Sequence, residues 1–147
     1  MHSFLNTPFY HRHAELLFES YQRFLNEPLI QSSQPTIVDL FEADFALLSH
    51  GVEDDPIFNF GNRVALELFD YCWDEFIQLP SRFSAKPIKQ TERQQLLDTV
   101  TRLGYIDNYS GISVTRTGRD FAIEGAIVWN LMDSVGVYHG QAAMITL

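Results

Sequence analysis

The sequence contains one cysteine, Cys72, so no disulfide bond can form within the chain and a reducing compartment is expected. It also lacks an apolar run that approaches the ~18 residues needed by a membrane-spanning helix. The N-terminal segment has no apolar stretch of signal-peptide length. These absences predict a cytoplasmic protein that has no membrane partner.

Basic residues are scarce as well, because ten Lys and Arg oppose nineteen Asp and Glu, for a formal net charge of −9. A negative field of this size repels a phosphate backbone. No basic run or zinc-finger spacing counteracts that repulsion. We therefore predict that nucleic acid is not a partner.

Aromatic residues, in contrast, are abundant. They make up 14% of the 147 residues, and twelve of them are Phe. With 46% hydrophobic residues, a chain of this length is expected to fold as a globular domain with a substantial core. Flat rings suit the walls of an apolar cavity, but the same residues also build an ordinary core, so both interpretations stay open.

Residues 9–30 have the apolar periodicity of an amphipathic helix, closed by Pro28. The residues that share its apolar face are Ala14, Leu17, Phe18, Tyr21, Phe24 and Leu25. Residues 32–35 are polar and form a linker. This linker divides the chain into a helical extension, residues 1–35, and a following domain, residues 36–147.

The following domain is predicted to begin with a capping box at Thr36 and two short strands, over residues 45–49 and 57–60. Asn62 is a favourable N-cap for a helix over residues 63–69. A longer helix is expected from Thr91, which has Gln94 three residues later, to the stop signal at Gly104.

The apolar period then changes from that of a helix to that of a strand, and three strands joined by turns are predicted. The longest should carry one apolar face, made of Phe121, Ile123, Ile127, Trp129 and Leu131. Its opposite face is also largely apolar, so the sheet must be covered on both sides. Helices between the strands can cover one side, and the N-terminal helix or a second subunit can cover the other.

Short motifs spread over nearly the whole chain resemble the MEKHLA domain family. They are Ser49-His50-Gly51, residues 54–60, 66–69 and 79–85, Gly104-Tyr105-Ile106, Tyr109-Ser110-Gly111, residues 128–131 and 140–143. The family is similar to PAS domains. The resemblance implies an α+β fold, a PAS-like five-stranded antiparallel sheet of order 2-1-5-4-3. Helices would lie on one face, and the N-terminal helix would be an extension.

The family occurs alone in bacteria and as the C-terminal domain of plant class III homeodomain–leucine-zipper proteins, where it is regarded as a sensory and dimerisation-controlling module. This sequence has no homeodomain or zipper, so we expect the stand-alone bacterial type without its own output domain. The resemblance implies a sensory, ligand-binding or protein-interaction module that acts through a homodimer or a partner protein, with a small apolar ligand as candidate occupant. The alternatives are a purely structural association domain with a filled core and, third, a small-molecule enzyme.

The sequence argues against flavin and haem, and the cofactor is unknown. Light-sensing relatives of PAS domains carry a reactive thiol before Arg-Phe, whereas this chain has Ser81-Arg82-Phe83, and a hydroxyl is a far weaker nucleophile. Cys72 does not stand in that motif. A haem would need an inward-facing histidine, and for His139, the best candidate, we favour a structural role.

The acidic segment after His50 is a second place where chemistry could be suspected. Glu53, Asp54 and Asp55 could bind a divalent cation with it, but the spacing matches no metal loop and Asp-Asp-Pro is ordinary turn sequence. A Gly-x-Ser-x-Gly nucleophile motif is also missing. We therefore assign no metal ligand and no catalytic residue, and predict that the protein is not an enzyme.

Two sets of residues are the predicted sites. The pocket candidates combine aromatic walls with polar groups that would need partners if they point inward: Phe60, Phe69, Arg82, Tyr105, Tyr109, Phe121, Trp129, Asn130, Tyr138 and Gln141. The interface candidates lie on the apolar stripe of the N-terminal helix: Leu17, Phe18, Tyr21 and Phe24.

Overall fold

The computed structural model of the protein describes residues 2–147, and for Pro87 and Ile88 the backbone alone. The α-helices are α1 (Pro8–Leu25), α2 (Ile37–Phe41), α3 (Arg63–Phe69), α4 (Trp73–Phe76) and α5 (Pro87–Leu103). The strands are β1 (Ala46–His50), β2 (Phe58–Gly61), β3 (Tyr105–Val114), β4 (Asp120–Met132) and β5 (Tyr138–Ile145). Short 3-10 helices cover Ser3–Leu5 and Ser81–Ser84. Among the described helices, none has both the length and the hydropathy needed to cross a bilayer.

The strands form one antiparallel sheet in the order β2-β1-β5-β4-β3, which confirms the predicted topology. Helices α3 and α5 pack on one face, which we call the inner face. Helix α1 packs on the opposite face, the outer face. The sheet is therefore covered on both sides by its own chain, as its two apolar faces require.

Helix α1 is shorter than the sequence predicted. Thr7 caps its start by accepting a hydrogen bond from the Tyr10 backbone N–H. It ends at Leu25 because Asn26 takes a left-handed conformation, with φ 59°, and donates its N–H to the Gln22 carbonyl. Pro28 therefore lies beyond the helix and does not terminate it.

The apolar stripe of α1 is buried against the outer face. Leu17 and Tyr21 are almost fully inaccessible, and Tyr21 lies edge-on to Trp129 with the ring centroids 5.0 Å apart. Phe18 and Phe24 are half-buried in the same core. In this chain, the four interface candidates thus pack into the hydrophobic core on the outer face of the chain's own sheet. The boundary predicted at residue 35 stays a prediction, although α1 shares a core with the strands.

Among the irregularities in the sheet register, two β-bulges explain why side chains lie on another face than the alternating pattern predicts. Between Ile123 and Ala126, strand β4 has one residue more than its partner β3, and Gly125 accommodates it with φ 66°. Phe121 and Ile123 consequently pack on the inner face, whereas Ile127, Trp129 and Leu131 lie on the outer face. The prediction that these five residues share one face was wrong.

The second bulge is at the junction of β1 and β2. His50 pairs with Phe58 and Ser49 with Phe60, so Asn59 is the additional residue. Phe58 therefore packs on the inner face and Phe60 on the outer face, although alternation would place both on the same side.

Helix α5 begins at Pro87, four residues before the predicted cap at Thr91. Lys86 is the observed N-cap, and Pro87 occupies the first helical position, where the missing N–H of proline removes no helical hydrogen bond. The end of the helix agrees with the prediction. Gly104 has φ 102° and donates its N–H to the Val100 carbonyl.

Asn62 joins strand β1 to helix α3 with a fully buried side chain. Its Oδ1 accepts hydrogen bonds from the backbone N–H groups of Leu47 and Ala65, at 2.9 and 3.0 Å. Its Nδ2 donates to the carbonyl oxygens of Leu40 and Phe45, at 3.1 and 2.7 Å. The predicted N-cap therefore also positions α3 over the inner face, on which the cavity described below lies.

Candidate ligand cavity

A cavity of about 60 Å³ lies between the inner face, helices α3 and α5, and the 3-10 helix Ser81–Ser84. This volume exceeds the ~10–15 Å³ that one water molecule needs. It is well below the ~300–1,000 Å³ of pockets that hold drug-sized ligands. The cavity in this conformation therefore suits a molecule of a few non-hydrogen atoms, and a flavin or a haem would require a much larger space.

The lining of the cavity is divided between apolar and polar side chains. The apolar part includes Leu48, Phe58, Phe69, Ile123, Ala126 and Val128. The polar part includes His50, Ser84, Arg93, Tyr109, Ser113 and Gln141. None of the described residues that line it is an acid, in a protein whose net charge is −9.

Arg93 is the charged group of the lining. Its half-buried side chain extends from α5 toward the sheet, on the same helix face as Leu97 and Val100. Burial lowers the pKa of Arg93, and the neighbouring Tyr109 opposes this effect. Among the described carboxylates, none forms a salt bridge with Arg93.

Three other arginines of the protein form salt bridges. Arg63, Arg82 and Arg116 form salt bridges with Glu42, Asp55 and Asp70 respectively, at 3.1–3.2 Å, and all three are exposed to solvent. Arg12, Arg23, Arg102 and Arg119 also form no salt bridge with a described carboxylate, but their side chains are exposed to solvent. Arg93 is thus the arginine that is both unpaired and half-buried, at the cavity, where water screens its charge less.

His50 brings a second polar group to the cavity. Its Nδ1 lies 3.0 Å from the Gly51 carbonyl oxygen, which can only accept, so Nδ1 carries a hydrogen. Burial lowers the pKa of His50; the Gly51 carbonyl and the neighbouring side chain of Gln141 oppose this shift, and the charge of Arg93 adds to it. In the neutral ring, Nε2 is an acceptor. The Gln141 amide beside it donates instead to helix α5 and to Asn130, so Nε2 has no donor within hydrogen-bond distance among the described residues.

Two polar strand residues attach the second half of α5 to the sheet. The amide of Gln141 donates to the Leu97 carbonyl and to Thr101 Oγ1, both at 3.0 Å. The amide of Asn130 donates to the Val100 carbonyl at 3.1 Å and to the Thr101 carbonyl at 3.2 Å. These bonds begin one helical turn after Arg93, so α5 connects the cavity with β4 and β5.

Three of the ten predicted pocket residues, Phe69, Tyr109 and Gln141, line this cavity. Phe121 does not line the cavity itself, but it packs against Phe69, with ring centroids 5.1 Å apart. Asn130 lies on the inner face but binds α5.

The remaining pocket candidates lie away from the cavity. The bulges turn Phe60 and Trp129 to the outer face, and Tyr105 packs against Phe24 in the outer core. Arg82 is exposed and binds Asp55, and Tyr138 is 36% exposed.

Sequence reasoning did not select Arg93 or His50 for the pocket. A signal existed for Arg93, because it precedes Leu97 by four residues and Val100 by seven, which puts it on the apolar face of its helix. His50 was considered only with the acidic turn, where Glu53 instead accepts a hydrogen bond from the Ile57 N–H at 3.1 Å. Among the described side chains, no group of three His, Cys, Asp or Glu could hold a metal ion. His139 is exposed, and its Nε2 lies 3.0 Å from Asp133 Oδ2.

Comparison with solved structures identifies the fold. A PAS domain from Colwellia psychrerythraea has a TM-score of 0.62 and 13% identity, over 74% of this chain and 90% of that chain. The photo-excited fungal blue-light photoreceptor Vivid has a TM-score of 0.62 and 13% identity, over 89% of this chain and 94% of that chain. A light-oxygen-voltage domain studied with a flavin analogue has a TM-score of 0.63 and 14% identity, over 75% and 82%. These identities show a shared fold alone.

Comparison with protein families goes further than the fold. No curated protein matches the chain. The model of the MEKHLA domain matches residues 11–147, which is nearly the whole chain and includes every strand and most of α1. With its PAS-type sheet and helices, this chain belongs to the MEKHLA domain family.

Proposed function

We propose that this protein is a non-catalytic sensory module that binds a small molecule in the cavity and responds through helix α5. The observation that carries the proposal is the cavity lining, in which His50 Nε2 has no hydrogen-bond partner and Arg93 has no salt bridge among the described residues. Buried polar groups are normally hydrogen-bonded, so such a set around a cavity favours a ligand over a purely structural, filled core.

The response we propose is a shift between two arrangements of α5. The helix contributes Arg93 and Leu97 to the cavity lining, and its second half is held on the sheet by Gln141 and Asn130. A ligand that contacts Arg93 stabilises the arrangement in which this side chain stays over the inner face. It therefore changes the population of that arrangement.

The output we propose is a change in association with a second copy or with a partner protein. Vivid has been solved as a light-state dimer, which supports association as an output of this fold. Leu17 and Tyr21 are buried in the outer core of this chain, so the association surface would use other residues.

Ligand binding by the full chain tests the proposal directly. Freshly purified protein is examined by mass spectrometry before and after solvent extraction, and its melting temperature is measured with a panel of small polar and apolar molecules. We expect either a co-purified small molecule or an increase in melting temperature with part of the panel. Sizing at several concentrations, with and without the bound molecule, tests the change in association.

A matched pair of variants connects any binding with the cavity. Ala126→Leu places a larger side chain in the lining, whereas Ala122→Leu makes the same change at an exposed position of the same strand. We expect the first variant to lose binding and the second to keep it. If Ala126→Leu does not fold, Ala143→Val on β5 replaces it, because valine adds less side-chain volume to the cavity lining. Absence of any bound molecule, no response to the panel and a concentration-dependent mass would instead support the structural association domain.

A further inference from the structure

The polar end of the cavity specifies the chemical class of its ligand, an inference that rests on the proposed function. Two side chains there each have a polar group that lacks a binding partner among the described residues, and one needs an acceptor whereas the other needs a donor. Arg93 offers a positive charge and N–H donors, and His50 offers an unprotonated ring nitrogen that accepts.

The requirement of Arg93 is a negative charge. A cation that is withdrawn from water is unfavourable unless an anion pairs with it. The chain has nineteen acids, yet among the described residues none lines the cavity or forms a salt bridge with Arg93. A planar guanidinium binds a carboxylate through two parallel hydrogen bonds, so a carboxylate is the anion that its geometry matches best.

The requirement of His50 is a hydrogen-bond donor. The Gly51 carbonyl accepts from Nδ1–H, and the lone pair of Nε2 has no donor among the described residues in a ring that lines the cavity. A carboxylate oxygen cannot donate to this lone pair, whereas a hydroxyl group can. The apolar lining by Ile123, Ala126 and Val128 leaves room for a few carbon atoms and no second charge.

We propose that the cavity binds a short hydroxy-carboxylate, with its carboxylate on the Arg93 guanidinium and its hydroxyl group donating to His50 Nε2. The volume of about 60 Å³ limits the ligand to a few non-hydrogen atoms. Glycolate is the smallest member of this class, and acetate and acetamide remove the hydroxyl group and then the charge.

Isothermal titration of the full chain with these three compounds, in a buffer of sulfate salts without chloride, tests the assignment. We expect glycolate to bind more tightly than acetate. Acetate should bind at least about tenfold more tightly than acetamide, because acetamide lacks the charged hydrogen-bond partner of Arg93. Melting temperatures should follow the same order.

Variants assign each part of the ligand to its residue. Arg93→Met should weaken the binding of glycolate and of acetate about tenfold or more. Arg82→Met, at an exposed arginine outside the cavity, should leave both affinities unchanged. His50→Asn keeps a donor near the Gly51 carbonyl but removes the Nε2 lone pair. This variant should lower the affinity for glycolate to that for acetate.

The possible outcomes separate this inference from the proposed function. Equal binding of acetamide and acetate by the wild-type chain would overturn the carboxylate assignment, as would full glycolate binding by Arg93→Met. Equal binding of acetate and glycolate would overturn the hydroxyl assignment. Binding of neutral molecules that Ala126→Leu abolishes, without binding of anions, would sustain the cavity function and reject the hydroxy-carboxylate. No binding of any small molecule would reject both.

Discussion

His13 Nε2 lies 2.8 Å from Ser49 Oγ, a contact that joins helix α1 to strand β1. The Ser49 hydroxyl donates its own hydrogen to Asn59 Oδ1 at 2.6 Å, so Oγ accepts from the histidine and Nε2 carries a hydrogen. The imidazole is almost fully buried between α1 and the sheet. Helix α1 is therefore attached to the outer face by a neutral histidine as well as by apolar contacts.

This contact predicts that stability decreases on mild acidification. Burial, reinforced by the nearby His139, lowers the pKa of His13 from 6.5 to about 4. Because the unfolded state binds the proton more readily, the stabilisation is complete above pH 6.5 and is lost as the pH falls to about 4. The loss is on the order of 3 kcal/mol and is measurable by urea denaturation at a series of pH values.

Glutamine variants serve to assign that pH dependence. His13→Gln keeps a donor for Ser49 and should reduce the slope between pH 5 and 6.5, above the range in which most carboxylates titrate. His50 acts in the same direction, because burial lowers its pKa too, so part of the slope should remain. His11→Gln, at an exposed histidine, is the control. An unchanged slope in His13→Gln would show that this ring is not the titrating group.

Trp129 should contribute strongly to stability because it is fully buried on the outer face beneath Tyr21. Trp129→Ala should destabilise the protein by about 3–5 kcal/mol. Trp129→Phe should have a much smaller effect, because it retains a ring and removes an indole N–H that has no partner among the described residues. Both values come from chemical denaturation, and a loss below about 1 kcal/mol for the alanine variant would contradict the outer-core packing.

Gly140 should not tolerate a side chain. Its φ is 123°, and a Cβ atom there would overlap the His50 carbonyl oxygen across the β1–β5 pairing. Gly140→Ala should destabilise the protein by about 3 kcal/mol or more, through backbone strain and overpacking together.

Gly136 provides the matched comparison for Gly140. It also has positive φ, 88°, but a Cβ atom would have nothing within 4 Å. Gly136→Ala should therefore cost only about 1–2 kcal/mol of backbone strain. Equal melting temperatures for the two variants would mean that the close approach to His50 is not limiting.

The stability of the protein should depend on the amide nitrogen of Asn62. Asn62→Asp retains the acceptor for Leu47 and Ala65 but turns an acceptor toward the carbonyl oxygens of Leu40 and Phe45. We expect a loss of about 3 kcal/mol or more at neutral pH, in urea denaturation, because a charge is buried against two unpaired acceptors.

Asn59→Asp is the control for this prediction. The amide oxygen of Asn59 accepts from Ser49, and an aspartate can do the same. The variant should lose much less stability than Asn62→Asp. Similar losses at both positions would indicate that the two donor bonds of Asn62 contribute little.

Local signals in the sequence were sufficient where neighbouring residues determine the structure. The Asn62 cap, the capping box of Thr36 with Asp39 and the stop at Gly104 were all predicted and observed, because each depends on backbone groups within a few residues. The end of α1 was missed because Asn26 rather than Pro28 adopts the terminating conformation. The strand order was predicted from the resemblance to a family and not from periodicity.

The sequence alone thus determined the fold class, the sheet with two apolar faces and the composition that disfavours nucleic acid. Only the tertiary structure decided which side chains meet at the cavity. Bulges at Gly125 and Asn59 change which face each later residue occupies, and a one-residue insertion leaves no mark in an apolar pattern. The lack of a partner for Arg93 was also decided by the tertiary structure, because the strands that face its helix are far away in the chain and bring no acid to the cavity lining.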